Sequence, residues 1–193
     1  MNVSTRSAVD AARMLGTALE AAEIPYAIGG ALALAIAGVP RGTADVDVNV
    51  FMEPARVPDV VATLATLGVN VDADSAVAHA RVDGLIVGRW DGMRIDVFVP
   101  SIPFSREAER TRIEITDAQG WRGWFLSAEA IAVFKLLFFR GKDRVDLERL
   151  VAVRPDLDRD YVRRWIVDMM GEDDERTLRW DRIVDELAPS HGV

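Results

Sequence analysis

The 193-residue chain has no cysteine, which excludes disulfides and Cys-based zinc sites. Its two histidines, His79 and His191, are far apart and lack ligand spacing, so no His-based metal centre or triad is expected. Long apolar runs are also missing. The longest, Tyr26 to Val39 between Pro25 and Pro40, is interrupted by Gly29 and Gly30 and falls short of the roughly 20 residues a membrane span needs. The first stretch, MNVSTRSAVDAARML, has no continuous apolar segment of the kind a signal peptide carries, so a cytoplasmic setting and no membrane association are expected. Positive charge is not in excess either: 23 Lys and Arg face 31 Asp and Glu, a formal charge of −8. Any nucleic-acid substrate must therefore be held by a local patch or through bound metal.

What remains is an ordinary globular composition, 50% hydrophobic and 28% charged, sized for one domain with a small cap. Residues 4–23 have helical periodicity, with Val9, Ala12, Leu15 and Leu19 on one face. Tyr26-Ala27-Ile28 reads as a short buried strand entering Gly29-Gly30, followed by a small-residue helix over Ala31–Ala37 and a second strand over Asp45–Phe51. Pro54 and Pro58 open a helix through Val60, Val61, Leu64 and Leu67, with Gly68 as its cap. Ala76–Val82 and Leu85–Trp90 read as strands joined at Asp83-Gly84, and Asp91-Gly92 turns the chain into a further strand, Met93–Val99. Pro100–Arg112 is loop-like. Ile113–Thr116 and Trp121–Leu126 are short strands, after which Ser127 caps a helix with a stripe of Ile131, Phe134 and Leu137/Phe138. Helices from Lys142, over Asp158–Met170 and over Asp173–Leu187 complete the chain. The expectation is an α/β (α+β) fold, a mixed sheet flanked by helices, with a core over residues 1–126 and a helical C-terminal cap over residues 127–193.

Chemistry concentrates on the second strand. Asp45 and Asp47 alternate with Val46, Val48 and Val50, so both carboxylates share one face, about 6.6 Å apart along the backbone. Ile95, Val97 and Val99 take the core face of the later strand and leave Arg94, Asp96 and Phe98 on the other. If the two strands are neighbours, three carboxylates converge. Hard oxygen ligands of this kind suit Mg²⁺ (or Mn²⁺) and form the set that two-metal phosphoryl transfer uses. Gly29-Gly30 at a strand-to-helix junction lets backbone approach a phosphate, and the Thr43 hydroxyl lies just before the carboxylates. Alone, a D-x-D reads as a solvated strand end and a Gly-Gly as a turn; the order and spacing of all the parts are the specific signal.

That order resembles the polymerase-β-like nucleotidyltransferase superfamily, whose signature is an h-G-[GS] turn, a D-x-D strand and a third carboxylate; the match covers roughly residues 24–99. The resemblance implies catalytic, metal-holding carboxylates at Asp45, Asp47 and Asp96 and phosphate-binding glycines at Gly29 and Gly30, the second standing where many members carry Ser. The block KLLFFRGKDRVDLERL, Lys135 to Leu150, resembles AbiEii-type and MenT-type toxin nucleotidyltransferases. It implies Lys135 as a nucleotide-phosphate ligand in the catalytic set and Asp146 as a supporting nucleotide-binding carboxylate. Lys142 and Asp143 stand in the same block, and Thr43-x-Asp45 matches the Ser/Thr-x-Asp of the MenT toxins. From the residues themselves, Lys135 in an apolar row either snorkels to solvent or points at an anion, and Asp146 could be an i, i+3 partner of Arg149.

The implied reaction is Mg²⁺-dependent transfer of a nucleoside monophosphate from an NTP substrate to an acceptor. By resemblance the acceptor is the tRNA 3′ end, in a toxin with a cognate antitoxin protein as partner. The alternatives are an antibiotic or other small-molecule nucleotidyltransferase, which the charge of −8 suits, and a catalytically silent nucleotide-binding or interaction module. Asp72 and Asp74 read as a solvated turn, Trp121 and Trp124 as core or interface anchors. Arg106, Arg110, Arg112, Arg140, Lys142 and Arg144 are the candidates for an RNA-facing patch, although acidic neighbours interleave them.

Overall fold

The structure, a computed structural model, describes residues 6–187, the side chains of residues 73–75 excepted. The expected helix start at Ser4 and His191 lie outside the described residues. The chain divides into two compact units, one comprising Met1–Ala33 and Arg41–Leu126, the other Leu34–Pro40 and Ser127–Val193.

The first unit is built on a six-stranded mixed sheet. Its strands are β1 (Tyr26–Ile28), β2 (Asp45–Val50), β3 (Leu85–Trp90), β4 (Met93–Phe98), β5 (Ile113–Thr116) and β6 (Arg122–Phe125), in the order β3-β4-β2-β1-β6-β5. Val46, Val48, Ile86, Ile95 and Val97 are buried, the apolar alternation expected of one covered sheet face. Helix α1 (Ala8–Ala21) packs on β1, β2 and β6, α3 (Val57–Thr66) packs on α1, and α4 (Ala73–Val82) packs on α3 and β3. Ser7 caps α1, its hydroxyl accepting from the Asp10 N–H at 3.1 Å. The buried stripe of α1 is Ala11, Ala12, Leu15, Gly16 and Leu19; Val9, expected inside, is exposed. Helix α2 (Gly30–Ile36) follows β1 directly.

Two stretches differ from their sequence reading. Ala76–Val82, expected as a strand, belongs to α4. Ala76 and Ala80, one helical turn apart, are the buried positions, and alanine at i, i+4 favours helix over strand. Asp83-Gly84 is accordingly a helix exit and not a hairpin: the Asp83 N–H donates to the His79 carbonyl at 2.7 Å, and Gly84 takes φ +65°. Asp72 precedes this helix, its carbonyl accepting from the Ala76 N–H at 2.8 Å. The second difference is α5 (Phe104–Arg110), within a stretch read as loop. It is a short charged helix pinned by only two fully enclosed residues, Phe104 and Ala108, too brief for periodicity to reveal. The Asp91-Gly92 turn does join β3 to β4, both residues having positive φ.

The second unit is helical: α6 (Ala128–Phe138), α7 (Gly141–Val153), α8 (Arg159–Met170) and α9 (Glu175–Leu187). Helix α6 packs on α7, α8 and α9, enclosing Leu136, Leu147, Leu150, Val162, Ile166, Trp180 and Ile183. Ser127 caps α6 through the Ala130 N–H at 3.2 Å. Its buried face is Ile131, Ala132, Val133, Lys135 and Leu136, so Phe138, assigned to the stripe from spacing, is exposed. Among the described residues no helix is long and apolar enough to cross a membrane.

Candidate active site

Strand β2 is central because it pairs on both sides. Toward β1 it runs antiparallel, with Ile28 opposite Val48. Toward β4 it runs parallel, with Asp45 opposite Arg94, Asp47 opposite Asp96, and Asn49 opposite Phe98. Residues paired across a ladder project from the same face, and neighbouring strands lie about 4.8 Å apart. The register therefore puts Asp45, Asp47 and Asp96 on one side of two adjacent strands, opposite the apolar core. Burial follows the same logic: Val46 and Val48 are enclosed, Asp47 is half-buried and Asp45 is exposed.

The glycine turn is built against this row. The Gly29 N–H donates to the Asp47 carbonyl at 2.8 Å, extending the β1–β2 ladder. Gly30 opens α2 at φ +54°, in the left-handed region. A Cβ at Gly30 would fall 1.8 Å from Asp47 Oδ2, and one at Gly29 would fall 2.8 Å from Asn49 Nδ2. Gly30 is thus required where a left-handed φ coincides with a Cβ position filled by the Asp47 side chain, while a Cβ at Gly29 would press on the end of the Asn49 side chain. Thr43 fixes the entry to the strand. Its hydroxyl donates to the Asp45 carbonyl at 3.1 Å and accepts from the Asp45 N–H at 3.2 Å, a local hydroxyl turn.

Asp96 is engaged by its own strand. Arg94 Nε donates to both carboxylate oxygens, at 2.8 and 3.0 Å; the Asp96 side chain is 16% exposed and that of Arg94 39%. Among the described residues no group of three Asp, Glu, His or Cys side chains stands together at metal-holding distance. The donor set nonetheless fits a divalent cation: three carboxylates on one face of paired strands, all hard oxygen ligands suited to Mg²⁺ or Mn²⁺, with Asp45, Asp47 and Asp96 as the residues that would hold it.

In the second unit, Lys135 is a buried cation. Its Nζ donates to Asp143 Oδ1 at 3.1 Å and to Asp146 Oδ2 at 2.7 Å, and the three side chains are 7%, 0% and 4% exposed. Asp143 also accepts from Arg140, at 2.7 Å from Nε and 3.1 Å from the backbone N–H. Burial pushes the Asp143 carboxyl up, but the Arg140 hydrogen bonds, then the Lys135 charge and hydrogen bond, outweigh it and hold the group below its ordinary 3.8. Of the two readings open for Lys135, pointing at an anion is the one realised. Asp146 is buried against Lys135, where a solvated i, i+3 pair would have left it outside. Lys142 is exposed.

Two residues of the β2–β4 face escaped the sequence reading as functional candidates, Arg94 and Asn49. The signal was present in each case. Asn49 continues the Asp45-x-Asp47 alternation and is 7% exposed, and Arg94 precedes Asp96 by the same two-residue step. The candidates for an RNA-facing patch are largely engaged. Arg110 pairs with Glu107 at 2.6 Å. Arg112 lies 4.5 Å from the Trp124 ring and donates to the Tyr26 carbonyl at 3.3 Å. Arg140 pairs with Asp143, and Arg144 lies 5.6 Å from the Phe139 ring. Trp121 is half-buried, donating to the Thr17 hydroxyl at 3.2 Å.

No family model matches the chain, and no curated protein is significantly similar to it. Solved structures are similar. The antibiotic-resistance factor ANT(2″)-Ia in solution matches with a TM-score of 0.59 at 17% identity, over 82% of this chain and 89% of that one. ANT(2″)-Ia in complex with adenylyl-2″-tobramycin matches with a TM-score of 0.51 at 15% identity, over 94% and 98%. Likeness at this identity speaks to architecture alone: the chain shares the mixed α/β fold of these solved structures.

Proposed function

We propose that this protein is a divalent-metal-dependent nucleotidyltransferase that moves a nucleoside monophosphate from an NTP to an acceptor hydroxyl and releases pyrophosphate. The observation that carries the reading is the parallel β2–β4 register, which puts Asp47 beside Asp96 with Asp45 one step along and seats the Gly29-Gly30 turn against Asp47. In this reading Asp45, Asp47 and Asp96 hold Mg²⁺ or Mn²⁺, which when bound neutralises phosphate charge and activates the attacking oxygen. Asp96 orients the acceptor hydroxyl and takes its proton. Gly29 and Gly30 form the turn that the resemblance assigns to the triphosphate, and Thr43 fixes the strand entry. Lys135 and Asp146 enter as nucleotide-binding candidates through the resemblance alone.

For the acceptor, resemblance to the AbiEii and MenT toxins favours the tRNA 3′ end, with an antitoxin as partner. A specific observation favours a second reading. The formal charge is −8, and most of the arginines that could face RNA are committed to carboxylates, aromatic rings or backbone. That balance suits a small cationic acceptor, such as an aminoglycoside of the tobramycin class, better than a polyanion.

The test is one panel. The purified protein is incubated with each α-labelled NTP and Mg²⁺ or Mn²⁺, with total tRNA in one arm and a set of aminoglycosides in the other, alongside Asp45→Ala plus Asp47→Ala. Label on either acceptor that vanishes in the double variant supports nucleotidyl transfer and names the acceptor class. Protein that binds metal–NTP but labels no tRNA, protein or small acceptor with any nucleotide sinks the enzymatic reading in favour of a nucleotide-binding module.

A further inference from the structure

Arg94 is the only cationic residue on the two strands that carry the carboxylates. It stands beside Asp45 in the β2–β4 register and bonds both oxygens of Asp96 through one nitrogen, at 2.8 and 3.0 Å. A carboxylate whose two oxygens share one N–H of a guanidinium has part of its acceptor capacity and its charge already engaged, and a metal ion must compete for it. Although the register brings three carboxylates side by side, no set of three stands at metal-holding distance among the described residues.

We infer that Arg94 is an intrinsic counter-ion that competes with the divalent cation for Asp96, so that the third carboxylate joins Asp45 and Asp47 only when the metal displaces the guanidinium. This rests on the metal-dependent reading above and adds a residue to it that acts through Asp96 as a positioning group. The physics is a counter-ion exchange. Three carboxylates gathered on one face repel one another, and something positive must lie among them. A tethered guanidinium does this at no translational cost, but its single charge and 39% exposure make it weaker than a divalent ion. It is therefore displaceable.

The competition has a readout that needs no turnover. Binding of Mn²⁺ alone, without NTP, is measured by the loss of the free-ion electron paramagnetic resonance signal. Wild type is compared with Arg94→Met, Arg94→Lys and Asp45→Asn plus Asp47→Asn, each first checked for a cooperative melt. Methionine keeps the apolar stem and removes the charge. If Arg94 competes, Arg94→Met binds Mn²⁺ about fivefold more tightly than wild type, the upper end for a pair this exposed, and Arg94→Lys falls between the two. Unchanged or weaker binding in Arg94→Met overturns the inference, because Arg94 would then orient Asp96 for the metal and not withhold it. The double asparagine variant separates the two levels. If its Mn²⁺ affinity equals that of wild type, or if neither wild type nor Arg94→Met binds, the carboxylate site itself fails. If it loses binding while Arg94→Met shows no gain, only the role of Arg94 fails.

Discussion

Replacing Lys135 by methionine should destabilise the helical unit far more than a surface lysine would. The ammonium serves two carboxylates at once, Asp143 at 3.1 Å and Asp146 at 2.7 Å, and none of the three side chains exceeds 7% exposure. Breaking a buried pair by removing one partner costs about 3–5 kcal/mol, because the charge left behind stays desolvated. Asp143 keeps Arg140, at 2.7 Å from Nε and 3.1 Å from the backbone N–H, so the lower end, about 3 kcal/mol, is expected. For a chain of this size that is a fall in Tm of roughly 6–12 °C, read by circular dichroism at pH 7. The pH dependence gives a second check with a definite sign. Burial raises the Asp143 carboxyl, yet Arg140 and then Lys135 bring it below its ordinary 3.8. A depressed carboxylate contributes stability that is present above the unfolded value and lost as pH falls through the folded one. The gap between wild type and Lys135→Met should therefore be widest above pH 4 and shrink below it. Adding Asp146→Leu to Lys135→Met should recover part of the loss, since the carboxylate deprived of the ammonium is gone. A Tm within about 2 °C of wild type, or a gap that does not change with pH, would refute this account of the cluster.

Gly30→Ser, which restores the residue common at this position in the family resembled, should fail here. The φ of +54° costs an L-residue about 1–2 kcal/mol, and the new Cβ would collide with Asp47 Oδ2, so under the proposed function kcat for nucleotidyl transfer should fall about 100-fold from displacement of Asp47; activity within a few-fold of wild type would contradict it. Gly16→Val should lower Tm, since its Cβ would meet the Tyr26 hydroxyl at 2.5 Å and its ring at 2.9 Å; overpacking of this kind costs about 1–3 kcal/mol in a chemical-denaturation curve. Tyr26 should titrate late. Burial first, then the negative charge of Glu20, push its hydroxyl up to about 12, so absorbance at 295 nm should show one of the two tyrosines ionising there. Its contribution to stability should be intact below pH 10 and lost as pH rises toward 12; both tyrosines ionising near 10 would show the ring exposed.

The parts legible in the sequence were those with a strict period or a strong punctuator. β2 was readable because valine and aspartate alternate without a break from Asp45 to Val48, and the Asp91-Gly92 hairpin because both residues tolerate positive φ. α4 was misread because its alanines are neutral to a strand pattern and only packing of Ala76 and Ala80 decides for helix. α5 hid because two enclosed residues, Phe104 and Ala108, give no measurable period. Lys135 had the opposite difficulty. A lysine on an apolar row announces itself, but its partners Asp143 and Asp146 lie on the next helix, and no spacing rule within one element reports a contact across two.

The glycines carry the largest revision. From the sequence they are a phosphate cradle, valued for what they let approach from outside. In the fold their missing side chains are first spent on the chain itself: Gly30 makes room for Asp47 and Gly29 for Asn49, while the Gly29 N–H closes the ladder onto the Asp47 carbonyl. The dipeptide and the D-x-D are therefore one structural unit, the first fixing where the second points. Their co-occurrence then follows from geometry before any ligand is considered. A carboxylate on a strand has several rotamers, and one pressed over a glycine Cα has few. Pre-organising Asp47 in this way lowers the cost of assembling a charged site, as functional centres on rigid strands require. If that is the use of Gly30, enlarging Asp47 to glutamate should be as harmful as enlarging the glycine. Asp47→Glu would retain the charge but not fit the seat, so Mn²⁺ affinity should drop as far as in Asp47→Asn; a glutamate variant that binds Mn²⁺ like wild type would show that the seat does not constrain the carboxylate.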